Sequence, residues 1–239
     1  MKVTQISAYG FQLTKFGLVN SYLVRESDDW TLIDTNLGGS ENDILQAARS
    51  VGAKSIARIL LTHAHVDHVG STDQLILKLG AVHLAVGRRE ARMLPKPPDQ
   101  DLSLDPDEPQ CPMKGGFPGI ESSPTHFLSG GELYGSLRCV ATPGHTTGHM
   151  SYLDERDGTL YAGDAIGTLR GRTTVSGWAP WWFPVRATWH RPTALESVKA
   201  LAELPVKTLA AGHGRLVENG AEGLREAVRA AEAKPVGGC

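Results

Sequence analysis

The amino-acid sequence predicts an α/β protein in which two β-sheets pack together and helices lie outside them. Short apolar runs with strand-like alternation recur in both halves of the chain, and stretches with helical spacing follow them in each half. The length agrees, since 239 residues, 41% hydrophobic and 21% charged, suffice for one substantial core or two closely packed halves. No exact internal repeat is visible. A single domain over residues 1–239 is therefore expected, with a proline-rich loop inserted at about 95–124.

Three strands are expected first, at about Val3 to Tyr9, Leu18 to Arg25 and Trp30 to Asp34, punctuated by Gly10, Gly17 and Asp28-Asp29. A helix from about Glu41 to Val51 follows, with Ser40 as its cap, Ile44, Leu45 and Ala48 as its apolar stripe and Gly52 as its stop. Ile56 to Leu61 reads as a buried strand. Helical spacing resumes from Gly70 to Leu79, which puts Asp67 and His68 at that helix's N-terminus, and Val82 to Val86 is another strand. Between Leu94 and Ser123 the pattern breaks down into Pro95-Lys96-Pro97-Pro98, an acidic patch around Asp105 to Glu108 and a glycine-rich turn at Gly115 to Gly119. Loops this long are lids, binding loops or mobile insertions. Beyond it, strands are expected at Leu137 to Ala141, Ser151 to Asp154, Thr159 to Ala162 and Thr208 to Ala210, with helices at about Thr193 to Glu203 and Ala221 to Ala233.

Composition excludes several classes of function. A net charge of −2 and the absence of any Lys/Arg-dense run beyond Arg88-Arg89 argue against a surface built for nucleic acid or an acidic membrane. No run approaches the roughly 18 apolar residues of a membrane span, and the N-terminus lacks a secretory layout, so a cytoplasmic location is expected. Cys111, Cys139 and Cys239 are widely spaced without a CxxC pair, and are expected to stay reduced.

The chemistry concentrates in His63-Ala64-His65-Val66-Asp67-His68, four ligand-type side chains in six residues directly behind an apolar strand. His145, Asp164 and His213 each follow another strand candidate, and residues at strand ends are where sheet-based folds assemble sites from separate loops. Imidazole and carboxylate suit zinc and similar divalent ions, but seven such residues exceed one tetrahedral sphere. They could hold two ions about 3.5 to 4 Å apart with a water between them, activated to hydroxide for hydrolysis. His63 and His65 lie two apart and share a side of an extended segment, so they can share one ion, and Asp67 and His68 are directed toward a second. Asp164, with two carboxylate oxygens, is the bridge candidate.

Thr62-His63-Ala64-His65-Val66-Asp67-His68, Pro143-Gly144-His145-Thr146, Gly163-Asp164 and Gly212-His213 come in the order of the metallo-β-lactamase superfamily, which the chain resembles over nearly its whole length. Asn20-Ser21-Tyr22-Leu23-Val24 and Leu32-Ile33-Asp34-Thr35 also look like that family's opening strands. The resemblance implies an αββα sandwich of two mixed sheets packed face to face. It implies His63, His65 and His145 on one metal, Asp67, His68 and His213 on the other, and Asp164 bridging. Zinc is the expected metal, with manganese or iron as alternatives, and Asp67 takes a second, catalytic role in protonating the leaving group. His149 reads as a support for the ligands, whereas His83, His126 and His190 have no motif behind them.

Departures within the resemblance narrow the substrate. Classical zinc β-lactamases lack a bridging aspartate at the place of Asp164, and acyl-homoserine lactonases carry a tyrosine where this chain has Gly167. Glyoxalase II enzymes add a C-terminal helical domain, whereas only a short segment follows His213 here. The expected activity is hydrolysis of a small lactone, ester or thioester. An iron-dependent oxidoreductase of the sulfur dioxygenase kind and a phosphodiesterase are the alternatives. The expected partner is a small-molecule substrate, with neither nucleic acid nor membrane. Trp178, Trp181, Trp182 and Phe183 follow the bridge candidate and could line an apolar pocket, or instead pack an interface or their own loop. Phe117 could close over the same pocket.

Overall fold

The structure, a computed structural model, describes residues 1–234, 237 and 239. A seven-stranded sheet comprises β1 (Lys2–Gln5), β2 (Gly10–Lys15), β3 (Val19–Arg25), β4 (Trp30–Ile33), β5 (Ile56–Leu61), β6 (His83–Gly87) and β7 (His126–Leu128), in that spatial order. Its first pairings are antiparallel; those from β4 through β7 are parallel. The second sheet has the order β15 (Val217–Glu218), β14 (Thr208–Ala211), β11 (Thr159–Gly163), β10 (Met150–Asp154), β9 (Leu137–Ala141), β8 (Leu133–Tyr134). Here β11 and β14 run parallel, so both sheets are mixed.

Strand alternation sorts the apolar residues into layers. Tyr22, Val24, Ile33, Leu60 and Ala85 of the first sheet meet Cys139, Met150, Tyr152, Tyr161 and Ala210 of the second in an inner core. Their strand neighbours Leu23, Leu32, Ile59 and Leu61 face the other way, onto α1 (Glu41–Ser50) and α3 (Thr72–Leu79) through Ile44, Ala48 and Leu75. Leu160, Ala162 and Leu209 likewise cover the buried faces of α4 (Arg191–Ala202) and α5 (Gly220–Glu232). This is the expected αββα sandwich. Two phenols stitch the sheets where the loops emerge: Tyr22 Oη donates to the Ala211 carbonyl at 2.5 Å and Tyr152 Oη to that of Leu61 at 2.6 Å.

Several elements differ from the sequence reading. Strand β2 lies where only punctuation was expected; its first four residues are all buried, and the polar Gln12 is satisfied there by Asn20 Oδ1 at 2.7 Å. Asp67 and His68 occupy a separate one-turn helix, α2 (Val66–Val69), because Thr35 takes the His68 carbonyl and Ser71 breaks the path into α3. Ser40 makes no side-chain cap on α1; its hydroxyl accepts from Lys15 Nζ instead. A hairpin of β12 (Ile166–Leu169) and β13 (Arg172–Val175) precedes the tryptophan-rich segment.

The cysteine expectation is overturned as well. Cys111 and Cys239, 128 residues apart in sequence, come to a Cα separation of 5.3 Å and form a disulfide. That approach is purely tertiary, so no local spacing announces it. Cys139 is free and buried, its thiol pushed up to about 12 by burial. Among the described residues no helix is long and apolar enough to cross a membrane.

Candidate metal centre

Seven polar side chains converge where loops from both sheets meet. His63, His65, Asp67 and His68 come from the segment after β5, His145 from the β9–β10 turn, Asp164 from the end of β11 and His213 from the end of β14. All except Asp67 are at most 5% exposed. Residues this polar stay buried only when their hydrogen-bonding capacity is used.

The hydrogen bonds outside the cluster decide which nitrogen of each ring faces inward. Asp34, at the end of β4, accepts from Thr62 N and Thr62 Oγ1, both at 2.8 Å, and from His68 Nδ1 at 2.7 Å. With its hydroxyl proton committed to Asp34, Thr62 Oγ1 accepts from His63 Nδ1 at 3.0 Å. His65 Nε2 donates to the Lys114 carbonyl at 2.8 Å. Ser176 and Thr188 donate to the Val185 carbonyl and so accept from His145 Nδ1. Each ring thus spends its proton outward. What remains inside is His63 Nε2 at 3.1 Å from His65 Nδ1, and His65 Nδ1 at 3.0 Å from His145 Nε2. Three lone pairs at hydrogen-bonding distance with no proton between them repel one another unless a cation sits among them, so this donor set fits a metal ion.

A second group adjoins it. His213 Nε2 lies 3.2 Å from Asp67 Oδ2 and 3.2 Å from Asp164 Oδ2, while His68 Nε2 lies 3.4 Å from Asp164 Oδ1. His68 Nε2, His213 Nε2 and Asp164 Oδ1 are buried without hydrogen-bond partners, so these atoms are free to ligate an ion. Asp164 Oδ2 is also 3.5 Å from His145 Nε2, so this carboxylate spans both groups. Three ligand triads are geometrically possible: His63, His65 and His145; His63, His68 and Asp164; and Asp67, His68 and His213.

Charge divides the two halves. Burial, then neighbouring imidazoles, pushes His63 well below its usual range, burial likewise lowers His145, and His65 falls to about 4, again chiefly through burial. Neutral imidazole is the ligating form. On the other side burial pulls His213 down, but Asp164 and Asp67 outweigh it and raise it to about 9; the carboxylates raise His68 similarly. Burial pushes Asp164 and Asp67 up, yet His213 and His68 hold both below the usual carboxylate range. The second group therefore balances two carboxylates against two protonated imidazoles, positive charge that a divalent ion could replace.

Two supporting residues carried no role in the sequence reading. One is Asp34; the other is Glu90, fully buried in a 3-10 turn after β6. Its carboxylate accepts from Ala64 N at 2.7 Å, Thr146 Oγ1 at 2.7 Å and Gly148 N at 3.1 Å, tying the His63–His65 segment to the His145 turn. Burial pushes it up to about 7. His149 supports the bridge position: its Nε2 accepts from Asp164 N at 3.0 Å, and its Nδ1 bonds Thr142. Gly212 is required beside them, since a Cβ there would meet His68 Cε1 at 2.7 Å.

The long loop is fastened over this centre. Gly116 accepts from Val66 N, Cys111 accepts from Trp189 Nε1, and Arg89 and Arg92 hold its acidic patch through Glu108, Asp101 and Asp105. Phe117 stands edge-on to His65 with ring centroids 4.8 Å apart. Phe183 is buried 6.1 Å from the His213 ring and carries the half-exposed Trp182 against it. Trp178 turns away, under Arg191 and against the second-sheet core, and Trp181 is 86% exposed. His126 pairs with Glu132, and His190 caps α4.

Comparison with known proteins agrees with this architecture. Residues 14–213 match the family described as metallo-beta-lactamase superfamily. An uncharacterized Bacillus subtilis protein, YobT, is 44% identical over 238 residues, covering 97% of this chain and 99% of its own. The probable metallo-hydrolase YflN of Bacillus subtilis is 25% identical, with 90% of each chain covered. An atrochrysone carboxyl ACP thioesterase of Aspergillus fumigatus is 28% identical over 66% of this chain and 31% of its own. The fold is shared with a β-lactamase from Chitinophaga pinensis at a TM-score of 0.67 and 19% identity, covering 98% of this chain and 92% of that one. With HxHxDH, His145, Asp164 and His213 brought to one point of an αββα sandwich, the chain belongs to the metallo-beta-lactamase superfamily.

Proposed function

We propose that the protein is a hydrolase of small ester-like substrates, lactones, esters or thioesters, working with two divalent metal ions, zinc in the first instance. The observation that carries this reading is Asp164: one buried carboxylate reaches the imidazole group on one side and the carboxylate-rich group on the other. His63, His65 and His145 would hold one ion and Asp67, His68 and His213 the second, with Asp164 between them. Bound there, the ions would supply an activated water and polarise the carbonyl under attack.

The chain's own groups would do the rest. Asp67 is the most open of the seven, its side chain 19% exposed, and its carboxylate is held ionised by His68 and His213 despite burial. In this reading it would take up a proton in the site and pass it to the leaving group. Phe117 beside His65 would offer an apolar wall to an acyl chain or ring, and Phe183, buried near the His213 ring, would back Trp182 as a second one. Similarity to a protein named as a thioesterase supports the ester-like class.

Metal analysis of fully active protein should give two ions per chain, and Asp164→Ala should lose both the second ion and at least about a hundredfold in kcat. One ion per active chain would remove the two-metal reading. Full activity of Asp164→Ala across a panel of lactones, thioesters, phosphodiesters and β-lactams would disconnect the site from hydrolysis.

A further inference from the structure

The long loop reaches the metal ligands through a short stretch that carries a covalent tie. Segment 111–117 has no regular secondary structure. Its Lys114 carbonyl takes the His65 Nε2 proton at 2.8 Å, its Gly116 carbonyl accepts from Val66 N at 3.0 Å, and Phe117 stands against the His65 ring. Gly115, at a φ of 98°, lies so close that a side chain there would strike His65. Cys111 itself adjoins the other ligand loop. Its carbonyl accepts from Nε1 of the buried Trp189 at 3.0 Å, and Trp189 N donates to the His145 carbonyl at 2.9 Å. The disulfide to Cys239 is therefore attached between the His65 segment and the His145 turn.

Most other anchors of the loop lie to either side. Arg89 and Arg92 hold residues 101–108, and Ile120 N bonds the Leu94 carbonyl at 2.7 Å. Between them Met113 and Phe117 pack, partly buried, on the first core, and Gln100 reaches the Phe117 carbonyl at 3.3 Å. The two ends of the disulfide differ in access. Cys111 is buried, whereas Cys239 is exposed, and among the described residues its remaining tie is a main-chain oxygen that accepts from Lys114 Nζ at 3.1 Å. An attacking thiolate thus reaches the bond from the Cys239 side. Free Cys139 does not compete for the pair, since it is buried between the sheets with its thiol held protonated.

We propose that the Cys111–Cys239 bond is a redox latch on the candidate metal centre. Closed, it keeps the Lys114 carbonyl against His65. A dithiol reductant opens it in two steps. One thiolate attacks the Cys239 sulfur and expels the Cys111 thiolate; the second then attacks the mixed disulfide, freeing Cys239 and closing the reductant's own disulfide. The two protons given up by the reductant end on the two protein thiols, and a disulfide oxidant reverses the exchange. Once open, segment 111–117 loses a restraint and His65 a fixed acceptor for its outer nitrogen. The ion that His63, His65 and His145 would hold is then bound less tightly, because such outer hydrogen bonds contribute about tenfold or more to metal affinity. The inference goes beyond hydrolysis and rests only on metal binding at the centre.

The test uses full-length zinc-loaded protein, oxidised or reduced with a phosphine, because a dithiol would itself bind zinc. Alkylation followed by mass measurement reports whether the bond has opened. Transfer of zinc to a chromophoric chelator should run about tenfold faster after reduction. Cys239→Ser, which removes an exposed sulfur and no core packing, should match the reduced wild type and ignore the phosphine. Hydrogen exchange on metal-free protein separates a latch from a general staple. On opening, the Val66 amide that bonds Gly116 should exchange about tenfold faster, while β10 keeps its protection. A bond that resists reduction in the folded protein, zinc release at one rate in both states, or equal acceleration at Val66 and in β10 each overturns the latch. Zinc bound in neither state overturns it together with the metal centre. None of these readouts needs a substrate, so failure of the hydrolase reading is a separate result.

Discussion

Glu90 shows how single residues trade stability for placement in this site. A carboxylate with no exposure is tolerated there because Ala64 N, Thr146 Oγ1 and Gly148 N all donate to it, yet burial still pushes its pKa up to about 7. The sign follows from comparison with the unfolded chain, where a glutamate titrates near about 4.3. Between these values the folded protein holds the proton more tightly, so this group's contribution to stability is full below the unfolded pKa and declines as pH rises through about 7. The decline amounts to about 3 kcal/mol in order of magnitude. Glu90→Gln should therefore flatten the fall in urea midpoint between about pH 4.5 and 7, read as the wild-type minus variant difference so that histidine titrations shared by both cancel. A difference that stays constant across that window would show that Glu90 has the same pKa folded and unfolded. The convergence of His63, His65, Asp67 and His68 was legible because HxHxDH is a local pattern of residue types. Glu90 and Asp34 were not, because their partners lie 26 and 28 residues away from them in sequence and neither belongs to a repeating pattern.

At the scale of elements, strands and helices with clean periodicity were readable, and the segments that read least clearly are the ones held by distant contacts. Strand β5 and strand β9 lie where their apolar spacing placed them, whereas β2 was hidden because both of its faces are covered and Gln12 is buried on a partner side chain. The loop between β6 and β7 was read from its prolines and broken periodicity, but its fastening depends on pairs such as Arg92 with Asp101 and on the disulfide, which only the fold brings together. The disulfide's role can be separated from that of the ion pairs. It closes 128 residues of chain, and cross-linking a loop of that size limits the unfolded ensemble by about 5 kcal/mol in the chain-entropy account. Cys111→Ser should lower the urea midpoint by an amount corresponding to about 2–5 kcal/mol and speed cleavage of the 95–124 segment in limited proteolysis. Faster cleavage without a change in midpoint would assign the bond to the loop alone.

The whole molecule places its candidate metal centre across the seam between the sheets. The first sheet supplies His63, His65, Asp67 and His68, and the second supplies His145, Asp164 and His213, so an ion bound among them ties together two layers otherwise joined by the inner apolar core and by bonds such as Tyr152 to Leu61. An unfolded chain cannot reproduce that convergence, and a ligand that binds only the folded state at a hundred times its Kd adds about 2.7 kcal/mol. For a chain of 239 residues this corresponds to a rise in Tm of about 5–10 °C. The gain should also depend on pH in a definite direction. In metal-free protein His213, raised to about 9, and His68, also raised, serve as internal cations for Asp164 and Asp67. That contribution is fully present below the unfolded histidine pKa of about 6.5 and is lost as pH rises through about 9. Chelated protein should thus weaken between about pH 6.5 and 9, while metal-loaded protein, whose imidazoles are already deprotonated, should not. Scanning calorimetry with saturating zinc and with chelator at both pH values should show the larger metal-dependent rise at the higher pH. A rise that is equal at the two values would mean that protons do not substitute for the second ion, and no rise at all would mean that the converging nitrogens and carboxylates bind nothing that spans the two sheets.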